Sequence, residues 1–172
     1  MKMILNLDIK STSIIKKVRL FVFVYSIIVS SVGAIYYSNI LIFEFDTITY
    51  SELIVYYILV CMLLLLLVTN VGLIIKRDFL TFSLKYSMFI YALQTFDFKL
   101  FDLNYEFLIG IKTAIYFVLY DGFFIEFSMS IFKLSFVIIY PAYSNGIFIG
   151  FNIIPLIIFG LYFFIYKNRN VY

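Results

Sequence analysis

A long uncharged stretch in the first half of the chain restricts what this sequence can fold into. No charged residue lies between Glu52 and Lys76, and most of the residues between them are leucine, isoleucine or valine. A helix of about 20 apolar residues crosses the hydrocarbon core of a lipid bilayer. The stretch therefore predicts a transmembrane helix over about residues 53–75.

The composition of the whole chain supports this interpretation. Of its 172 residues, 65% are apolar and 13% are charged, whereas a soluble domain is about 45–50% apolar and about a quarter charged. Too few charged side chains are present to cover the surface of a soluble globule. Disorder is also excluded, because it requires low hydrophobicity and high net charge. The composition predicts an integral membrane protein that is surrounded by membrane lipid.

Three other stretches carry weaker forms of the same signal. They predict transmembrane helices over about residues 19–38, 79–96 and 146–166. We expect Pro155 to kink the last of these helices, since proline is tolerated in helices that are embedded in lipid. An alternative interpretation treats the first stretch as a secretory signal that is cleaved after Ala34.

The positions of the charged residues predict the orientation in the membrane. Ten of the thirteen basic residues lie in three places: the segment up to Arg19, the stretch Lys76–Lys85 and the segment after Tyr166. The same places hold two of the ten acidic residues. Basic residues accumulate in cytoplasmic loops, and these places alternate in phase with the four predicted helices. The pattern predicts a multi-pass protein of the cell (inner) membrane with both termini in the cytoplasm. An organelle inner membrane is the alternative location.

The residues between the third and fourth predicted helices, about 98–142, carry the pattern of a β-sheet. Polar and apolar residues alternate from Lys99 to Phe107, as they do in a half-buried strand. Farther on, Asp121-Gly122 separates two runs of β-branched and aromatic residues, which is a strong hairpin signal. A further strand is predicted over about residues 133–140, and another around Glu44. We therefore predict a small extracytoplasmic antiparallel sheet close to the membrane surface.

A competing interpretation makes this region two more transmembrane helices, over about residues 105–120 and 123–143. It would place Asp121-Gly122 in a cytoplasmic turn without a basic residue, against the rule for orientation. The sheet is therefore the preferred prediction.

The predicted hairpin suggests a binding surface. A two-residue turn at Asp121-Gly122 would pair Val118 with Ile125 and Tyr116 with Phe127, so that these four side chains share one apolar face. We predict that Tyr116, Val118, Ile125 and Phe127 pack on the helix ends or bind a partner, either lipid or another membrane protein.

The inventory of reactive side chains argues against an enzyme. The chain has no histidine and a single cysteine, Cys61, which excludes an internal disulfide and the commonest general base and metal ligand. No glycine-rich phosphate-binding motif is present. We predict no catalytic, cofactor or metal site, and a net charge of +3 is too small to indicate nucleic acid. Gln94 and Asn152 are predicted intramembrane polar residues, and they motivate the alternative of a small transporter or channel component.

Two segments carry a resemblance to known proteins. YALQTFDFKLFDLNYEFLIG at residues 91–110 and GFNIIPLIIFGLYFF at residues 150–164 are similar to segments of small four-span membrane proteins of AT-rich bacteria, whose role is uncharacterised. The resemblance covers about half of the chain, and it implies a four-span topology without implying an activity.

These observations together predict a mainly α-helical membrane protein. A single membrane domain spans residues 1–172, with four transmembrane helices and a small extracytoplasmic antiparallel β-sheet inserted between the third and the fourth. The predicted function is that of a non-catalytic scaffold or interaction subunit. The sequence leaves the oligomeric state open.

Overall fold

The computed structural model describes residues 2–44, 48–75, 80–100, 103–119, 123–137 and 147–168, and within these residues the fold consists of four helices and four strands. The helices are α1 (Lys2–Phe43), α2 (Tyr50–Ile75), α3 (Leu80–Thr95) and α4 (Ile153–Lys167). The strands are β1 (Phe96–Leu100), β2 (Leu103–Leu119), β3 (Phe123–Val137) and β4 (Ile147–Asn152). The predicted antiparallel sheet between the third and fourth helices is confirmed. The alternative with two additional helices is wrong, because β2 and β3 occupy that region.

Two of the described helices are long and apolar enough to cross a membrane. They comprise Ile15–Phe43, with 29 residues, and Glu52–Ile75, with 24 residues. At about 1.5 Å per residue both exceed the hydrocarbon core of about 30 Å. Helices α3 and α4 contain 16 and 15 residues, which corresponds to about 24 Å and 22 Å.

The start of α2 is fixed by its own side chains. Thr49 precedes the helix, and its backbone N–H and its hydroxyl donate hydrogen bonds of 2.9 and 2.7 Å to Oε2 of Glu52. The backbone N–H of Glu52 in turn donates to the Thr49 hydroxyl over 3.4 Å. The two bonds from backbone N–H groups form a capping box, which satisfies donors that have no partner inside the helix. A strand was predicted around Glu44, but the residues up to Phe43 belong to α1. Residues 45–47 of that predicted strand lie outside the described part of the chain.

The last predicted transmembrane helix begins later than its hydropathy indicates. Residues 147–152 form β4, and α4 begins at Ile153. Pro155 therefore lies in the first turn of α4, where a backbone N–H would have no helical partner anyway. The predicted kink at Pro155 is accordingly wrong, because the proline lies at the start of the helix.

The chain divides into two compact units, and the first contains residues 1–87 and 161–172. Leucine, valine and phenylalanine side chains fill its interior, including Val22, Phe23, Leu59 and Leu66, all at most 1% exposed. Arg19 donates a hydrogen bond of 3.3 Å to the carbonyl oxygen of Leu73 on α2.

One polar residue from each helix forms a fully buried network in this unit. The hydroxyl of Tyr162 on α4 donates a 2.5 Å hydrogen bond to Oδ1 of Asn70 on α2, and it lies 2.7 Å from the hydroxyl of Ser26 on α1. The amide of Asn70 donates to Ser87 on α3 over 3.2 Å. All four side chains are inaccessible to solvent. Such hydrogen bonds join helices where hydrophobic burial alone does not specify their packing.

The second unit, residues 88–160, contains the sheet. Strand β2 pairs with β3 on one side, and on the other side it pairs with β1 near its start and with β4 near its end. Because β1 and β4 also pair with each other, β1, β4 and β2 close into a ring. Gly110, with a φ of 115°, lies where the pairing with β3 shifts register. Glycine adopts this φ at little cost, and a bulge bends the strand.

The pairing of β2 with β3 corrects the predicted register by one residue. Leu119 pairs with Phe123, Phe117 with Ile125 and Tyr116 with Glu126, so three residues separate the paired strand ends. The predicted turn at Asp121-Gly122 lies outside the described residues. A shift of one residue moves a side chain to the opposite face of its partner strand. One face of the hairpin is apolar in both registers, but in the observed register Phe117 and Leu119 take the places of Tyr116 and Val118 beside the apolar residues of β3.

Candidate functional site

A row of three residues across β1, β4 and β2 forms the centre of a polar cluster. Gly150 on β4 is paired with Asp97 on one side and with Tyr116 on the other. Residues that pair directly point to the same face. The Tyr116 ring lies over Gly150, and its hydroxyl donates a hydrogen bond to Oδ2 of Asp97. A Cβ atom at Gly150 would lie 2.5 Å from Cε1 of Tyr116, so any other residue at this position would displace the Tyr116 ring.

Lys112 provides the central positive charge of this cluster. Its Nζ lies 3.4 Å from Oδ2 of Asp97 and 2.9 Å from Oε1 of Glu106, and Glu106 also pairs with Lys133. The Lys112 side chain is 7% exposed and those of Asp97 and Glu106 are 11% and 15% exposed. Two carboxylates and two ammonium groups thus balance in charge. Charges are buried at acceptable cost when they are paired and hydrogen-bonded in this way. We call these four residues and Tyr116 the ion-pair cluster.

The ionisation of the two carboxyl groups differs because their partners differ. Burial raises the pKa of Asp97, and the hydrogen bond from Tyr116 offsets only part of that effect. Burial acts in the same direction on Glu106, but the hydrogen bonds from Lys133 and Lys112 outweigh it and hold the pKa of Glu106 below its usual value. For Lys112, burial lowers the pKa, yet its contacts with Tyr116 and Glu106 raise the pKa above the usual value. The environment therefore favours the charged forms of Glu106 and Lys112.

The opposite face of the sheet is apolar and exposed. Phe117 is paired with both Ile125 and Ile149, and its ring centre lies 6.3 Å from that of Phe151. No charged side chain lies on this face among the described residues. We call it the apolar face, and its exposed members are Phe96, Phe117, Leu119, Phe123, Ile125, Phe127, Met129, Ile149 and Phe151.

The four residues predicted to form a binding surface are divided between the two faces. Tyr116 and Val118 lie on the face of the ion-pair cluster, where Val118 is fully buried. Ile125 and Phe127 lie on the apolar face, and Phe127 is 76% exposed. The one-residue error in the predicted register is the reason for this division. Whether any of the four binds a partner stays a prediction.

The structure brings the two predicted intramembrane polar residues together. The side-chain amide of Asn152 donates a hydrogen bond of 3.2 Å to the backbone carbonyl of Gln94. Both residues are fully buried, and among the described residues the side-chain amide group of Gln94 and Oδ1 of Asn152 have no hydrogen-bond partner. Asn152 immediately precedes α4, and Gln94 belongs to the last turn of α3. The pair therefore joins the end of one helix to the start of another.

The described residues contain no group of three or more histidine, cysteine, aspartate or glutamate side chains that could hold a metal ion. The carboxylates of the ion-pair cluster are engaged by lysine and tyrosine donors. Chemically, the cluster therefore acts as a polar core of the sheet.

Comparison with models of protein families, with curated proteins and with solved structures found no match.

The ion-pair cluster was not predicted from the sequence. Glu106 and Lys112 stand an even number of residues apart on one strand, which places them on the same face. That spacing was a usable signal, but it cannot show that Asp97 and Lys133 from other strands meet them there. The pairing of β1 with both β4 and β2 supplies that information.

Proposed function

We propose that the chain is an integral membrane protein that acts as a non-catalytic scaffold or interaction subunit and that binds its partner through the apolar face of the sheet. Two helices of sufficient length and apolar character support the membrane location. The observation that carries the proposed role is the apolar face itself, because a contiguous exposed apolar surface on a folded protein marks an interaction or membrane contact.

The proposed orientation places both termini in the cytoplasm and the sheet outside it, with all four helices in the membrane. The basic residues near the N-terminus, between α2 and α3 and after α4 support this orientation. The sheet region contains fewer basic than acidic residues, in agreement with an extracytoplasmic location.

Substitution of Phe127 by aspartate tests the proposed role. Phe127 is 76% exposed on the apolar face, so Phe127→Asp adds a charge to that surface with little effect on the interior. We expect the variant to lose the lipids or proteins that co-purify with the full chain in nanodiscs, as measured by mass spectrometry. Phe124→Asp is the matched control, because Phe124 is 47% exposed and lies on the opposite face. An unchanged set of co-purified molecules together with unchanged thermal stability would contradict the proposal.

A small transporter or channel component is the second candidate function. Within the part of the chain that the structure describes, the side-chain amide group of Gln94 and Oδ1 of Asn152 are buried without a hydrogen-bond partner. This favours a transport function, since polar groups inside a membrane protein commonly line a solute path. Under this function, Gln94→Leu and Asn152→Leu should each reduce solute flux into proteoliposomes that contain the full chain. Flux that is absent, or that neither substitution changes, would rule this function out.

A further inference from the structure

At the ion-pair cluster the sheet has the reverse of the polarity expected in water. An antiparallel sheet in a soluble protein turns its apolar face to the core and its polar face to the solvent. Here the side chains of Lys112, Asp97 and Glu106 are at most 15% exposed, while the apolar face is open. This arrangement is typical of β-structure in lipid, where polar residues point inward and apolar residues point outward.

The composition of the apolar face favours lipid over a protein as its occupant. Protein interfaces contain about one hydrogen bond per 100–200 Å² and are surrounded by a polar rim. The exposed members of the apolar face are phenylalanine, isoleucine, leucine and methionine, whose side chains contribute no strong donor or acceptor. Acyl chains need neither, so they match this surface.

The lengths of α3 and α4 also favour lipid as the occupant of the apolar face. Helices α3 and α4 fall short of the hydrocarbon thickness by about 6–8 Å. Each is continued without a gap by a strand, and those strands contribute Phe96 and Phe151 to the apolar face, with ring centres 5.5 Å apart. Exposed aromatic side chains thus occur where the apolar part of each helix ends.

We propose that the apolar face lies against the acyl chains of one leaflet, so that the sheet is partly immersed in the membrane with the ion-pair cluster turned away from the lipid. This inference rests on the proposed membrane location and specifies lipid as the partner of the surface.

Single tryptophans provide the test, because the chain contains none of its own. The full chain is reconstituted in bilayers of a monounsaturated phosphatidylcholine or of the same lipid brominated on its acyl chain, which quenches nearby tryptophan. Ile125→Trp and Phe127→Trp report on the apolar face. Phe124→Trp and Glu126→Trp report on the opposite face of the same strand. Ile125 and Phe124 form a matched pair, because their exposed fractions are 50% and 47%. Leu64→Trp on α2 reports on membrane insertion.

We expect the tryptophans at 125 and 127 to lose most of their fluorescence in brominated lipid, and those at 124 and 126 to keep most of theirs. Quenching at position 64 without quenching at 125 and 127 would overturn the lipid assignment while leaving the membrane location intact. Equal quenching at all four strand positions would also overturn it. The absence of quenching at position 64 would instead contradict the proposed membrane location.

Discussion

Replacing Lys112 by methionine is expected to lower the free energy of unfolding by about 3–5 kcal/mol, because it leaves the buried carboxylate of Asp97 without a cation and that of Glu106 with one cation instead of two. Methionine preserves most of the side-chain volume, so the loss of stability is due to the removed charge. Asp97 and Glu106 would keep Tyr116 and Lys133 as partners, but neither would retain the ammonium group between them. Denaturant titration of the full chain in detergent micelles measures the change.

The matched control for this substitution is Lys133→Met. The Lys133 side chain is 36% exposed and pairs with one carboxylate, so we expect a loss of about 1 kcal/mol or less. Equal losses of stability in the two variants would contradict the expectation that the cost of removing a lysine depends on how deeply it is buried. Combining Lys112→Met with Asp97→Asn and Glu106→Gln should recover part of the loss, because replacing a whole buried ion pair is tolerated better than breaking it.

The pH dependence of the two carboxyl groups should have opposite signs. The pKa of Glu106 is lowered in the folded state, so its contribution to stability is present above its unfolded pKa of about 4.3 and is lost as the pH falls through the folded value. The pKa of Asp97 is raised, so its ionisation removes stability as the pH rises. Between pH 7 and pH 3, Glu106→Gln should therefore lose less stability than the unsubstituted chain, and Asp97→Asn should lose more.

Replacing Gly150 by alanine is expected to cost about 1–3 kcal/mol, which is the usual range for overpacking. The added Cβ would lie 2.5 and 2.6 Å from two carbons of the Tyr116 ring and 3.2 Å from the carbonyl oxygen of Asp97. The ring has to move, and its hydrogen bond to Asp97 is then lost. Thermal or chemical unfolding in micelles measures the cost.

Gly160→Ala is the control, since outside the adjoining backbone of α4 no atom of the described residues lies within 4 Å of the corresponding Cβ. There alanine should raise stability by up to about 1 kcal/mol, because it favours the helix over glycine. If the Tyr116 ring is the cause of the loss at position 150, Gly150→Ala should cost less in a Tyr116→Ala background than in the original chain. A loss of the same size in both backgrounds would contradict this explanation.

Hydropathy predicted the bounds of α2 and α3 to within a few residues. The helix predicted over 53–75 is observed as Tyr50–Ile75, and the one predicted over 79–96 as Leu80–Thr95. It failed at residues 147–152, where IFIGFN forms β4, because a short apolar run has the same hydropathy in a strand as in a helix. The pairing of this run with β1 and β2 decides that it forms a strand.

The same dependence on tertiary pairing explains why the sequence did not predict the ion-pair cluster. Asp121-Gly122 signals a hairpin, but the register also depends on partners outside the hairpin. In the observed register Tyr116 lies opposite Gly150, which leaves room for its ring to reach Asp97. Residues far apart in sequence set this requirement, so a local turn signal could place the strands without fixing which side chains share a face.

The direct passage from helix to strand has a mechanical consequence. Thr95 ends α3 and Phe96 begins β1, while Asn152 ends β4 and Ile153 begins α4. No connecting residue is present to absorb a rotation at either junction. In a bilayer, where helices tilt as thickness changes, tilting of α3 or α4 would be transmitted to the hydrogen-bonded ladder between β1 and β4.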